Sequence, residues 1–325
     1  MQLLQNGVYI VNATTGALIW SYTGGNLQHS VPGNIRVLDM DNNGSIDRLY
    51  FGDTGGNIWR ADLNADDVDS DASLYDVTND ARVSKLASLG GTGSDYRKFF
   101  YEPDVAFFKH NGRYVLVLSI GSGYRSHPMN TSISDRFYVL YDENVLNIPE
   151  TAPAALTDSD LISSVTLAGN DFLTTTHKGW YKDLTVGHGE KVLASAVTFL
   201  NKIIFTTFTK TDTVTSTGVG DSCTSLTSTQ TQAYVLDLMT ASPTVDLDDD
   251  GVVTAADEYA VISHGDILDS PQLVFNEPSN CTTEGCNQYV DIRVGKSLLP
   301  LVDENTVDGN VDLGDFLPKV YWVNE

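Results

Sequence analysis

The sequence predicts an all-β chain: a modified β-propeller of four-stranded blades, with surface loops and one short helix. Three observations carry that expectation. Strand–turn–strand units recur along the 325 residues. Two of them close on a tryptophan, Trp20 and Trp59, at a separation close to the roughly 40 residues of a propeller blade. Gly, Thr, Ser and Asn are plentiful while charged residues make up only 19% of the chain, which suits short strands joined by many turns. A hydrophobic share of 41% allows a sizeable core, and the length suits one large all-β domain, so residues 1–325 are read as a single propeller.

In the first unit, Val8-Tyr9-Ile10-Val11 runs into turn residues Asn12 to Gly16 and returns through Ala17-Leu18-Ile19-Trp20. In the second, Arg48-Leu49-Tyr50-Phe51 turns at Asp53-Thr54-Gly55-Gly56 and returns through Asn57-Ile58-Trp59-Arg60. Strong β-formers flank both turns, and glycine supplies the positive φ that tight turns require. Phe137 to Asp142 and Ala233 to Asp237 repeat the cue of an aromatic inside an apolar strand ending in Asp. Radial repetition of small sheets accommodates such units; a two-sheet sandwich is the alternative. Residues Asn64 to Asp80 and Thr209 to Thr231 are polar insertions. The one helix is expected from Thr254 through Ile262, inside an inserted element spanning 243–262.

Charge is lopsided: 19 Lys and Arg against 43 Asp and Glu give a formal net charge of -24. Such a surface repels phosphate backbones and anionic lipids, so no nucleic-acid partner is expected, and it attracts cations. No apolar run is long enough to span a bilayer. Met1 is not followed by a secretion signal, and because the chain opens inside a strand pattern it is read as a fragment of a longer protein.

The acidity concentrates in two loops. Asp39-Met40-Asp41-Asn42-Asn43-Gly44-Ser45-Ile46-Asp47 reads D-x-D-x-N-G-x-x-D. Calcium is a hard cation that takes six to eight oxygens at about 2.3–2.6 Å. Asp39, Asp41 and Asn43 alternate three side-chain oxygens inward, Gly44 permits the sharp bend, Ser45 offers its carbonyl and Asp47 closes the cage. The second loop, Asp246-Leu247-Asp248-Asp249-Asp250-Gly251-Val252, ends in an acid at position twelve, Asp257. It resembles a dockerin-type half EF-hand: Asp246, Asp248 and Asp250 supply side chains, Val252 takes the carbonyl position and Asp257 closes, with Glu258 the weaker candidate. Extracellular modules of this kind hold calcium at roughly 0.1–1 mM, so one loop could act as a staple and the other as a sensor. The cluster Asp308, Asn310, Asp312 and Asp315 lacks a glycine in register and is read as a solvated loop.

Several segments together resemble one family. Val37-Leu38-Asp39 through Asp62-Leu63 is similar to the calcium loop and following blade of the PilY1 or PilC family of type IV pilus assembly and adhesion proteins. Gly121-Ser122-Gly123-Tyr124-Arg125-Ser126-His127-Pro128 with Asp135-Arg136-Phe137-Tyr138 is a second match. Gly179 to Leu184 with Gly189-Glu190-Lys191-Val192-Leu193 and Phe205 to Phe208 is a third. The resemblance implies a carboxyl-terminal propeller of a secreted protein that reaches the cell surface, outer membrane or pilus tip through the periplasm. It implies minor pilins as partners, a surface or host-cell receptor as adhesion ligand, and calcium modulation of pilus extension, retraction and twitching. An oxidising periplasm implies a disulfide among Cys223, Cys281 and Cys286. Cys281 with Cys286, or Cys223 with either, are the open pairings.

No enzyme is expected. The histidines form no H-E-x-x-H pair, and G-x-S-x-G is missing. A quinoprotein dehydrogenase-like propeller is the alternative, but the adjacent cysteines typical of that family are absent. A carbohydrate-binding propeller would call for exposed tryptophans in a concave pocket.

Overall fold

A computed structural model describes residues 6–24, 27–63, 81–110, 113–145, 148–149, 151–167, 170–171, 176–211, 228–276 and 289–300. The polar stretches 64–80 and 212–227, all three cysteines and the acidic cluster at 308–315 lie outside the described residues.

The fold is all-β, a propeller-like succession of five sheets in chain order. The first sheet is the hairpin β1 (Gly7–Val11) and β2 (Leu18–Thr23). The second orders β3 (Arg36–Leu38), β4 (Arg48–Gly52), β5 (Asn57–Asp62) and β6 (Arg82–Ser88). The third contains β7 (Asp104–His110), β8 (Arg113–Gly121), β9 (Arg136–Asp142), β10 (Ile162–Ser163) and, beyond a four-residue helix α1 (Ser164–Leu167), β11 (Gly179–Asp183). The fourth holds β12 (His188–Val192), β13 (Val197–Phe199), β14 (Lys202–Lys210), β15 (Thr229–Asp237) and β16 (Tyr259–His264). The fifth is β17 (Gln272–Asn276), β18 (Tyr289–Val294) and β19 (Ser297–Pro300).

Both tryptophan-closed hairpins form with the expected pairing, Ile10 opposite Trp20 and Phe51 opposite Trp59. The expected four-stranded organisation is refined: among the described residues the sheets carry two, four, five, five and three strands. The helix expected over 254–262 is also corrected. Only a single 3₁₀ turn, Ala255–Glu258, forms after Thr254, and β16 begins at Tyr259. Tyr-Ala-Val-Ile-Ser-His is strand-prone, and pairing with β15, Tyr234 opposite Tyr259 and Gln232 opposite Val261, outweighs any helical tendency.

Each sheet packs on the next. Val8 and Trp20 join Phe51, Trp59 and Ala61 between the first two sheets. Tyr50, Ile58 and Leu89 meet Leu118, Ile120 and Tyr138 between the second and third. Phe137 stacks on Phe205 at 3.8 Å, locking the third sheet to the fourth, and within the fourth sheet Phe205 stacks on Tyr234 at 4.6 Å. Ile204 and Val235 meet Val290 and Ile292 between the fourth and fifth. Side chains such as Phe51, Phe137 and Val139 are wholly buried, each contributing about 1.5–3 kcal/mol by leaving water. Trp180 is also fully buried, and its Nε1 donates to the Leu238 carbonyl at 2.8 Å, a tie between the third sheet and the chain after β15.

Candidate metal centre

The first acidic loop joins β3 to β4. Its carboxylates are held by the loop's own backbone. Asp39 accepts from the N–H groups of Asn43 at 3.2 Å and Gly44 at 2.8 Å. Asp41 accepts from the Asn43 N–H at 3.1 Å, and the Asn43 side-chain oxygen accepts from the Ser45 N–H at 2.8 Å. Asp47 reaches back to the Met40 N–H at 2.6 Å. This wrap requires positive φ at Asn42 (60°) and Gly44 (90°), where glycine carries no strain.

The second loop, between β15 and β16, repeats the pattern. Asp246 accepts from Asp249 at 2.7 Å, Asp250 at 3.3 Å and Gly251 at 2.7 Å, and Asp250 accepts from the Val252 N–H at 2.9 Å. Asp249 (62°) and Gly251 (88°) take the left-handed positions of Asn42 and Gly44. Asp257 plays the backbone role of Asp47, bonding the Leu247 N–H at 2.7 Å.

One oxygen each from Asp39, Asp41 and Asp47 lies within 4.8 Å of the others, and the same holds for Asp246, Asp248 and Asp250. Oxygens sharing a calcium at about 2.3–2.6 Å can be at most about 5 Å apart, so both sets have the span a single ion requires. Asp257 stands outside the second set; it is fully buried, with Oδ1 on Leu247 and Asp248 and Oδ2 on Thr254. Ser45 and Val252, expected as carbonyl donors, occupy equivalent places after the glycine. Glu258 is committed elsewhere, accepting from Lys182 of β11 at 2.6 Å.

The electrostatics of the two loops differ. Desolvation pushes the Asp39 carboxyl up, but the N–H groups of Gly44, Asn43 and Asn42 outweigh it and hold it below the usual carboxylate range. Asp257 is held low chiefly by the Thr254 N–H, against desolvation, with Leu247 and Asp248 adding to the effect. Asp248 is pushed up, by desolvation first and then by the charges of Asp250, Asp257 and Asp246. A cation would relieve that crowding.

Behind the first loop lies an ion-pair lattice that the sequence pattern concealed. Arg48 donates to Asp62 at 2.7 Å and to the Val145 carbonyl at 3.1 Å. Arg60 donates to Asp62 at 2.7 Å, to Asp142 at 2.9 Å and to the Asn144 carbonyl at 2.7 Å; Tyr50 caps Asp142 at 2.6 Å. All five side chains are buried. Arg60 and Asp62 line a cavity of about 230 Å³ together with Ser84, Leu86, Tyr141, Pro149, Pro153 and Leu156. The available signal was two charges, Arg60 and Asp62, at same-face spacing in a strand whose neighbours are apolar.

No protein-family model and no curated protein matches the chain. Among solved structures, the crystal structure of the Pseudomonas aeruginosa PilY1 C-terminal domain matches with a TM-score of 0.58 and 19% identity, covering 91% of this chain. The chain has the PilY1 C-terminal domain fold. It spans 66% of the length of that PilY1 structure, and the likeness is one of architecture. Among the described residues, Trp20, Trp59 and Trp180 are all buried; Trp322 lies outside them. Among the described residues no helix is long and apolar enough to cross a membrane.

Proposed function

We propose that the chain is the calcium-binding propeller of a type IV pilus-associated surface protein, a binding and regulatory module and not an enzyme, acting with minor pilins in pilus extension and retraction and in adhesion. The observation that carries this reading is the PilY1 C-terminal domain fold over 91% of the chain, with a D-x-D-x-N-G loop pre-shaped ahead of β4. Asp39, Asp41, Asn43, Ser45 and Asp47 would hold one ion, and Asp246, Asp248, Asp250 and Val252 a second, with Asp257 fixing the second loop's shape. A bound ion would supply positive charge among crowded carboxylates. The chain's own residues do the rest: Asp47 continues directly into Arg48, and its carbonyl accepts the Leu63 N–H at 2.8 Å, so the loop's closing residue is tied to both β4 and the end of β5.

Calorimetric titration of the purified chain with calcium tests the reading. Two sites are expected, with Asp39→Ala removing one and Asp246→Ala the other. In a piliated host, Asp47→Ala and Asp47→Lys in the full-length protein should disturb surface piliation in opposite directions, because lysine places a positive charge where the ion would sit. Absence of calcium uptake would overturn the metal reading; uptake with identical piliation and adhesion in both variants would overturn the regulatory one.

A further inference from the structure

Asp135, far along the chain from both acidic loops, has no place in that function. It ends the loop from β8 to β9 and is 2% exposed. Its Oδ1 accepts from the Ser122 hydroxyl at 2.7 Å, while its Oδ2 is buried with no hydrogen-bond partner among the described residues. A buried carboxylate oxygen without a donor is costly, and it is relieved by a proton or by water. The groups facing it come from three directions: Ser122 from the end of β8, Arg97 from the segment before β7, and Lys191 from β12, beside which Glu190 acts on Lys191.

Lys191 is itself 1% exposed. Its ammonium donates to the carbonyls of Asn130 at 2.8 Å and Gly189, pinning the middle of the β8–β9 loop to the fourth sheet. An ammonium has three donors, and these carbonyls take two. The rest of the loop is seated by a few polar ties: Arg97 to the Ser134 carbonyl at 2.8 Å, Arg125 to the Leu193 carbonyl at 3.0 Å and the Ser134 N–H to the Ser94 carbonyl at 2.8 Å. Gly123 packs backbone to backbone, such that a Cβ there would fall 2.3 Å from the Val192 carbonyl oxygen. Exposed on this loop are Arg125 and His127, with the Tyr124 ring 4.5 Å from the imidazole.

We propose that Asp135 is an acid-operated latch on the 122–135 loop: neutral, its carboxyl keeps the loop seated across the seam between the third and fourth sheets; ionised, it draws water to Oδ2 and lets the loop lift. Burial pushes the Asp135 carboxyl up to about 6, against the opposing pull of the Ser122 hydroxyl, Lys191 and Arg97. The folded carboxyl thus binds its proton more tightly than an unfolded one. The seated state gains stability as pH falls from about 6 towards the ordinary aspartate value near 4, and loses it as pH rises through that window. The surface carrying Tyr124, Arg125 and His127 is therefore firm in mild acid and looser at neutral pH.

Hydrogen exchange over residues 124–133, corrected for intrinsic rates, at about pH 5 and about pH 7.5 tests the latch. In the intact chain, protection should fall on going to the higher pH, by up to about tenfold per pH unit below the midpoint near 6, and level off above it. Asp135→Asn should be protected at both pH values. Ser122→Ala, which removes the one hydrogen bond favouring the ionised form, should move the midpoint upward, and it keeps the test open if the Asn variant does not fold. His127→Gln should leave the dependence in place. Flat protection in the intact chain, an unmoved midpoint in Ser122→Ala, or loss of the dependence in His127→Gln would each overturn the proposal.

Discussion

Replacing Asp142 by Asn tests whether the buried lattice holds the second sheet to the third. Asp142 is 1% exposed and accepts from Tyr50 at 2.6 Å, from Arg60 at 2.9 Å and 3.1 Å, and from the Asn144 N–H at 2.9 Å. Every group facing it is a donor. An amide keeps one acceptor oxygen, but turns its NH2 towards donors and leaves the Arg60 guanidinium short of a counter-charge. Removing one partner of a buried pair costs about 3–5 kcal/mol; because Asn preserves shape and one acceptor, a loss of about 3 kcal/mol is expected. Urea unfolding followed by tryptophan fluorescence should show a midpoint lower by about 1 M, taking a slope of about 3 kcal/mol/M. Glu143→Gln is the matched control. Its pair with Lys178 is just as short, 2.6 Å, but the side chains are 45% and 38% exposed, so its loss should stay below about 1 kcal/mol. Equal midpoints for the two variants would refute the argument that burial, and not separation, sets the worth of these pairs.

Two glycines, one packed against the turn after β4 and one in the β1–β2 turn, supply the other stability expectations. A Cβ on Gly90 would fall 2.0 Å from the Gly55 carbonyl oxygen, a backbone atom that cannot swing aside, so Gly90→Ala should cost about 1–3 kcal/mol in thermal or urea melts. Gly16→Ala meets no atom within 4 Å and suffers only from its φ of +71°, so it should cost about 1 kcal/mol; a larger loss than for Gly90→Ala would show that crowding is not what keeps Gly90.

Much of the fold was legible in the sequence because alternating apolar strands ending in tight turns have few other ways to bury their faces. Val8 to Trp20 and Arg48 to Arg60 became hairpins as their periodicity dictates. What misled was the second acidic loop. Its D-x-D-x-D-G pattern is usually followed by a helix, but Thr254 caps only one 3₁₀ turn before Tyr259 is captured by β15, a partner distant in sequence that no local pattern announces. Strand counts were hidden for the same reason: the parallel pairing of β10 with β11 joins residues separated by α1. In the acidic loops, the grouping of Asp39, Asp41 and Asp47, and of Asp246, Asp248 and Asp250, was readable because oxygen spacing is local. The lattice of Arg48, Arg60, Asp62 and Asp142 was not, because its partners come from two sheets. The buried oxygen of Asp135 depends likewise on which residues of β12 arrive beside it.

The two acidic loops share a backbone path from the first aspartate to the glycine, Asp39 to Gly44 and Asp246 to Gly251, and over that part they differ in charge. Both are pre-shaped by N–H donors, which lowers the ordering cost of taking up an ion. The second loop gathers Asp246, Asp248, Asp250 and the buried Asp257, and the crowding already pushes Asp248 up. The first has three carboxylates and the amide of Asn43, whose Nδ2 donates to Asp41 at 2.9 Å and offsets part of its charge. Each set has three carboxylates, so what sets the second loop apart is the further charge of Asp257 acting on Asp248; with affinity rising with the charge and rigidity of the site, the second loop should fill first and serve as the staple, leaving the first to respond to the medium. Asn43→Asp removes the amide donor and adds a fourth carboxylate. We expect it to tighten the first site about tenfold or more and to draw the two calorimetric steps together, while making the metal-free chain less stable through repulsion between positions 41 and 43. A first site that binds no more tightly in Asn43→Asp than in the parent chain would show that charge count does not order these loops, and the assignment of staple and sensor would fall with it.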